Sequence, residues 1–165
     1  MTVNFEEISE LSSQLVRFYS VKLGPDPICE FEKFDSKEFE NPIHIDELRV
    51  IYSTIEEIRQ RGARSFYFHP EGPAEALPKV TKLMKESNRQ DFGIRLYCIH
   101  ISENTVVLLN GDIKTKHNPK ECPNVATHFE RALKIAVKLK KAIDEKLVHF
   151  TVNGMNADEN FEIDI

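Results

Sequence analysis

The clearest pattern in the chain is a pair of β-rich runs separated by three polar residues. Residues 93–101 (GIRLYCIHI) and 105–113 (TVVLLNGDI) flank Ser102-Glu103-Asn104. Runs rich in β-branched and aromatic residues that are joined by a short polar turn are typical of antiparallel hairpins. The sequence therefore predicts a β-hairpin at the centre of the fold.

Two segments show the spacing of amphipathic helices. The first has Asp46 as its predicted N-cap and Gly62 as its C-terminal stop, and the second covers about residues 123–147. The apolar positions are Leu48, Ile51, Tyr52, Ile55 and Ile58 in the first segment, and Val125, Phe129, Leu133, Ala136, Val137, Leu139, Ile143 and Leu147 in the second. We expect the second helix to pack its apolar side on the hairpin.

The remaining segments give shorter signals. Residues 15–23 (LVRFYSVKL) predict a strand that ends at Gly24-Pro25, with a helix over residues 5–15 as the alternative. The other assignments are a strand at 65–69, a loop at 71–78, a helical turn at 79–86, a polar link at 87–91, and strands at 148–152 and 161–165 around the turn Asn153-Gly154. Together these elements predict an α+β fold, with a small antiparallel sheet whose central hairpin packs against helices.

Length and composition are those of one domain with one core. The chain has 165 residues, of which 41% are hydrophobic, and it contains 11 Phe. We therefore expect a single domain over residues 1–165. The sequence has no run of about 18 apolar residues. Its first residues also lack the basic and apolar regions of a signal peptide. Both features favour a cytoplasmic protein that has no membrane partner.

Cysteine and histidine show no metal-binding motif in the sequence. The three cysteines are far apart without a Cys-x-x-Cys motif, and the six histidines have no ligand spacing shared with carboxylates. A glycine-rich phosphate loop is also missing from the sequence. We expect no disulfide, no structural zinc and no cofactor.

Charge is unevenly distributed along the chain. The net charge of -5 argues against a large non-specific nucleic-acid surface. Basic residues nevertheless gather at 114–120 and 131–146, so Arg131 and Lys134 of the second helix could extend an RNA-binding surface. The alternative is that they lie on the solvated side of an amphipathic helix. The acidic, Phe-containing stretch 30–35 either docks a partner or covers the protein's own sheet.

The hairpin register sorts its side chains onto two faces, provided that Glu103 and Asn104 form the turn. The apolar face, expected to meet the second helix, carries Ile94, Leu96, Cys98, Val107, Leu109 and Ile113, and the polar face carries Arg95, Tyr97, Asn110, Asp112, Lys114 and Lys116. Arg, Lys and Tyr together can bind a phosphodiester and stabilise the charge that develops when a ribose hydroxyl attacks it, without a metal. The alternative is a solvated face on which Arg95 pairs with Asp112.

The hairpin and its neighbouring elements resemble the RelE and HigB-like toxins of bacterial toxin-antitoxin systems, including phage-derived members. The resemblance rests on Arg95-Leu96-Tyr97, on the apolar strand 106–109 (VVLL) and on Lys114-Thr115-Lys116, and it covers roughly residues 43–146. It implies a compact α+β protein that cuts messenger RNA on the ribosome without a metal. It also implies an antitoxin protein as a partner.

The resemblance also implies roles for individual residues. Arg95, Lys114 and Lys116 become phosphate contacts, and Tyr97 and His117 are the nearest candidates for the acid and the base. A tyrosine has an ordinary pKa of about 10 and needs help to act as a base. The acidic net charge and an Asp within the basic face depart from the family pattern. These departures favour the alternative, a non-catalytic relative that keeps the fold as a protein-interaction module.

Overall fold

The computed structural model describes residues 1–79 and 92–165, and most of its strands form one mixed sheet. The seven strands of this sheet are β1 (Thr2–Glu7), β2 (Arg17–Leu23), β3 (His69–Glu71), β4 (Ala74–Leu77), β5 (Gly93–Ser102), β6 (Thr105–Lys114) and β9 (Ile163–Asp164). Their order is β3-β4-β5-β6-β2-β1-β9. Only the β2–β6 pair is parallel among these described strands. A separate hairpin pairs β7 (Val148–Thr151) with β8 (Gly154–Ala157).

Three α-helices lie in the described residues, namely α1 (Glu30–Asp35), α2 (Pro42–Arg61) and α3 (Ala126–Asp144). The predicted first long helix is confirmed as α2, but it begins before Asp46. The Asn41 side chain accepts a hydrogen bond from the Ile43 amide at 3.1 Å, and proline occupies the first helical position. Gly62, with φ of 98°, ends the helix as predicted. None of the three is long and apolar enough to cross a bilayer.

The sheet lies between helices on both of its faces, so the predicted single core is divided in two. On one face the strands pack against α2 and the phenylalanines of α1, through Phe18, Phe31, Phe34, Ile51, Ile55, Ile58, Ile94, Leu96, Cys98, Val106 and Leu108. On the other face they pack against α3, through Tyr19, Val21, Tyr97, Ile99, Val107, Leu109, Phe129, Ala132, Ile135, Ala136 and Leu139. The second predicted helix is therefore confirmed, and it packs on the sheet.

A β-bulge in the central hairpin changes which side chains share a face. Leu96 lies opposite Gly111, whereas Cys98 lies opposite Leu108, so β6 has one extra residue between these pairs. An extra residue shifts the alternation of side chains by one position. The prediction that Val107 and Leu109 share the face of Ile94 is therefore wrong. That face meets α2 rather than α3.

Two predicted elements near residue 70 are wrong. Residues 65–69 are not a strand, because Ser65–Tyr67 forms a 3-10 helix. The predicted loop at 71–78 contains β4, which pairs with β3 across a turn at Gly72. The helical turn predicted at 79–86 and the link at 87–91 fall, apart from Lys79, outside the described residues.

Strands near the two ends of the sequence also differ from their predictions. The alternative helix at 5–15 is wrong because β1 and β2 form an antiparallel pair, whereas the strand predicted at 15–23 is confirmed as β2. Strand β9 lies within the predicted 161–165 strand, but it pairs with β1. The strand predicted at 148–152 turns back at Asn153-Gly154 and pairs with β8 instead.

Candidate functional site

The hairpin residues predicted to contact phosphate are mostly inside the protein. Arg95 is 2% exposed and Lys114 is 6% exposed. The Arg95 guanidinium donates a hydrogen bond to the Ile94 carbonyl oxygen at 3.0 Å. Arg95 lies opposite Asp112 across the strands, as predicted. The polar face of the hairpin is therefore not a solvent-exposed patch.

Tyr97, one candidate for the acid or base, is fully buried on the face that α3 covers. Its ring meets the edge of Phe129, with 5.8 Å between the ring centroids. Its hydroxyl makes no hydrogen bond to any described residue. Burial, assisted by the charge of Glu71, raises the pKa of Tyr97, so the phenol stays protonated at neutral pH.

The other predicted catalytic residues, Lys116 and His117, lie in the exposed loop that follows β6. The His117 ring lies against Phe92, with 5.1 Å between centroids. The loop is anchored at its base, where the Thr115 amide donates to the Cys122 sulfur at 3.3 Å. Lys116 and His117 are therefore accessible, whereas Arg95 and Tyr97 are not.

Polar side chains from three elements meet where α1, β6 and α3 come together. We call this set the junction cluster, and it consists of Glu30, Lys37, Asn110, Asp112, His128 and Arg131. Asn110 and Asp112 belong to the predicted polar face, and Arg131 was a predicted RNA-binding residue. The structure thus brings three sequence-predicted positions together with three new ones.

Lys37 is the central cation of the junction cluster. Its ammonium donates to the Gly111 carbonyl oxygen at 2.6 Å and to the Asp112 carboxylate at 3.1 Å, and it lies 3.5 Å from His128 Nε2. An ammonium group can only donate, so Nε2 of His128 has to accept and the imidazole proton resides on Nδ1. That Nδ1 is buried and has no hydrogen-bond partner among the described residues.

Glu30 is the buried anion of the junction cluster, with 2% exposure. Its carboxylate accepts from the Lys33 ammonium at 2.7 Å and from the Asn110 amide at 3.3 Å, and it lies 3.6 Å from the Arg131 guanidinium. Lys37 likewise faces a carboxylate, that of Asp112. Each of these cations thus already has an anionic neighbour, which weakens its attraction for an RNA phosphate.

No family model, curated protein or solved structure matches this chain. The chemistry of the junction cluster therefore has to be inferred from its own residues. His128 is the natural acid or base in such a set. Its acceptor nitrogen is occupied by the Lys37 ammonium, so it cannot take a substrate proton unless that contact breaks.

The burial of His128 predicts a pH-dependent stability. Burial, together with the charges of Lys37 and Arg131, outweighs Glu30 and Asp112 and lowers the pKa of His128 to about 4. Between pH 6.5 and about 4 the unfolded chain therefore binds a proton that the folded chain does not. We expect the free energy of unfolding to fall by roughly 2 kcal/mol as the pH falls through this window, allowing for partial solvent screening.

Two variants isolate this contribution in urea unfolding curves measured from pH 7 to pH 4. His128→Gln keeps an acceptor for Lys37 but cannot be protonated, so its stability should change less steeply with pH than that of the wild type. His149→Gln changes an exposed histidine on β7 and should leave the steepness unchanged. Equal slopes for wild type and His128→Gln would contradict the assignment.

Among the described residues, one group has ligand atoms close enough to hold a metal ion. It lies where the acidic end of β1 approaches the start of α1. Ligand atoms of Glu6, Cys29 and Glu32 lie within 4.8 Å of one another. The Lys22 ammonium binds the Glu6 carboxylate at 2.7 Å, and the Cys29 amide donates to Glu32 at 3.2 Å. Both carboxylates thus already have partners within the protein, and a metal ion would have to compete with a lysine.

The second predicted RNA-binding residue is Lys134. It does not belong to the junction cluster, and it lines an open groove on α3. The groove has a volume of about 660 Å³, and its lining residues are Pro73, Leu133, Lys134, Val137, Lys138, Asp164 and Ile165. The lining combines four apolar residues with two lysines and one aspartate. This surface is accessible, unlike the polar face of the hairpin.

Sequence reasoning missed Glu30, Lys37 and His128 as members of a site. Some signals were present. His128 and Arg131 are three positions apart on a helix and so share a face. Glu30 is adjacent to Phe31 in an amphipathic segment whose phenylalanines are buried. Lys37 follows α1 in an irregular segment, and no sequence periodicity places its side chain.

Proposed function

We propose that this chain is a RelE-like protein that acts by binding another protein rather than by cutting RNA. The observation that carries the proposal is the burial of Arg95, Tyr97 and Lys114 in the described structure. A phosphodiester has to touch the groups that stabilise its transition state. Side chains at 6% exposure or less cannot make such contacts without a rearrangement of the protein around them.

The neutralised charge of the junction cluster further supports a binding function. Catalysis of RNA cleavage needs cations whose charge is available to the developing phosphorane and a group that can accept a proton. Lys37 and Arg131 face carboxylates, and His128 holds its neutral form by accepting from Lys37. These contacts join α1, β6 and α3, a role that stabilises the fold.

The RelE-like part of the proposal rests on the hairpin and on its position between helices. The hairpin has the predicted turn, the Arg95-Leu96-Tyr97 strand and the Lys114-Thr115-Lys116 run. The sheet is larger than predicted, since β1, β2 and β9 extend it beyond the hairpin. The likeness therefore concerns the central elements of the fold.

A metal-independent endoribonuclease is the second candidate function. It is favoured by the junction cluster, in which Lys37, His128 and Arg131 gather beside Asn110 and Asp112 of the predicted polar face. The exposed Lys116 and His117 also favour it. Its substrate would be messenger RNA on the ribosome, and its partner an antitoxin protein. This function requires the contacts of the junction cluster to open when RNA binds.

Controlled expression in a bacterial host separates the two functions. We expect soluble wild-type protein to cause neither growth arrest nor messenger-RNA cleavage. Arrest with cleavage that Lys116→Ala relieves, at equal amounts of folded protein, would establish the nuclease instead. Lys116 is suited to this test because it is exposed, whereas Arg95→Ala and Lys114→Ala remove buried side chains and need a folding control by circular dichroism.

A further inference from the structure

The groove on α3 is lined by both apolar and basic side chains. Leu133 and Val137 are one helical turn apart, and they line the groove together with Ile165, which follows β9, and Pro73, which lies between β3 and β4. Val137 is 54% exposed, although it lies in the middle of a helix that is otherwise anchored to the sheet. Pro73, Leu133 and Ile165 are half-buried. Apolar side chains that remain accessible to solvent in a concavity favour the docking of a partner.

The basic side chains of the groove favour a partner with acidic groups. Lys134, Lys138 and Lys141 are exposed and follow one another at about one turn, so they form a stripe on α3. Lys134 and Lys138 line the groove, whereas Lys141 lies beyond its lining and has the Glu145 carboxylate at 3.7 Å. Asp164, the acidic residue of the groove, is already bound by the amino group of Met1 at 2.7 Å. With two lysines against one aspartate, the lining of the groove is positively charged and attracts acidic groups, in contrast to the net charge of -5 of the whole chain.

We infer that the groove binds an acidic amphipathic helix of a partner protein. This inference rests on the proposed function and names the partner's chemistry. Apolar side chains of the partner fill the space between Leu133, Val137 and Ile165, and its carboxylates face the lysines. Lys134 and Lys141 are separated by about 10 Å along the helix axis, so about two turns of the partner cover the stripe.

A second copy of this chain is a poorer occupant on electrostatic grounds. Two chains of net charge -5 repel each other, and the acidic residues of α1 that could meet the lysines are partly engaged. Glu30 is buried and contacts Lys33, and Glu32 accepts from the Cys29 amide. A separate acidic segment presents carboxylates that are not already engaged in this way, and the lysines of the groove attract them locally.

The probe is a fluorescein-labelled synthetic helix of 18 residues, with leucines on one face, glutamates beside them and alanines elsewhere. One control peptide replaces every glutamate by lysine, and another has the same composition in an order that disperses the leucines. Binding is followed by fluorescence anisotropy with the full-length protein at low and at physiological salt. We expect binding of the acidic helix only, weakened by salt.

Matched variants locate the binding site. Val137→Asp and Lys138→Glu should each weaken binding of the acidic helix at least tenfold. Val50→Asp is the control, because Val50 is 53% exposed on α2, away from the groove, and it should change binding less than twofold. Circular dichroism checks that all variants are folded.

Each result has a definite meaning. Absence of binding, equal binding of the lysine peptide, or equal affinity of wild type and Val137→Asp would overturn the inference. A wild-type dimer that Val137→Asp dissociates, measured by light scattering, would assign the groove to a second copy and overturn it as well. RNA cleavage by the wild type would overturn the proposed function, whatever the peptide shows.

Discussion

Gly111→Ala is expected to lower the free energy of unfolding by about 3 kcal/mol, because the bulge brings two backbones into contact at this residue. A Cβ atom on Gly111 would lie 1.8 Å from the Arg95 carbonyl oxygen and 2.8 Å from its carbonyl carbon. Both of these atoms belong to the backbone of the paired strand. A methyl group can therefore be accommodated only if β5 and β6 separate.

Equilibrium unfolding in urea measures this effect. Gly24→Ala is the matched control, since Gly24 has a φ of +57° and no described atom within 4 Å of a built Cβ. It should cost about 1 kcal/mol, the penalty of a left-handed backbone. A loss at Gly111 no larger than that at Gly24 would show that the strands are not in this close contact.

Phe34→Ala is expected to lower the free energy of unfolding by about 3 to 5 kcal/mol. Phe34 is 1% exposed, and its ring lies against Phe31 with 6.4 Å between centroids. Removing the ring leaves a cavity between α1, α2 and the sheet. The prediction tests whether the acidic stretch 30–35 covers the protein's own sheet or is available to a partner.

Phe66→Ala provides the comparison for Phe34→Ala. Phe66 is 64% exposed and should change the free energy of unfolding by less than about 0.5 kcal/mol. Thermal unfolding monitored by circular dichroism gives both values. Similar melting temperatures for the two variants would mean that α1 is not part of the core, and the acidic stretch would then be free to dock a partner.

The hairpin and the two long helices were predictable because their signals are local. The turn at Glu103-Asn104 follows from the short polar break between the two runs. Arg95 lies opposite Asp112 as predicted because a second irregularity, between His100 and Ser102, places an extra residue in β5 and so offsets the extra residue in β6. Helix α3 follows from its apolar spacing over five turns. The local pattern at residues 15–23 also predicted strand β2 correctly.

The faces of the hairpin were not predictable beyond the bulge. Gly111 signalled a bulge or a close backbone approach, but a glycine does not tell where the extra residue is inserted. That insertion decides whether Val107 and Leu109 face α2 or α3. The pairing of β9 with β1 and the strand β4 depend on partners that are distant in sequence, and no local pattern encodes such partners.

The candidate site was predictable only in part for a related reason. Sequence alternation identified the polar side chains of the hairpin, but their exposure depends on the elements packed above them. Lys37 reaches the hairpin from the segment after α1, and His128 and Arg131 of α3 contact Lys37 and Glu30, so only tertiary packing brings these side chains together. Burial then separates Arg95 from Lys116, which belong to one predicted face.

The parallel pairing of β2 with β6 constrains the order in which the strands can pair during synthesis. Arg17 pairs with Thr105, so β2 leaves the ribosome long before its inner neighbour exists. Antiparallel pairing with β1 is available early, whereas the apolar side of α2 has to wait for the hairpin. A high contact order of this kind slows folding and prolongs the exposure of apolar segments. The apolar side of α2 therefore stays uncovered until β5 and β6 have been synthesised.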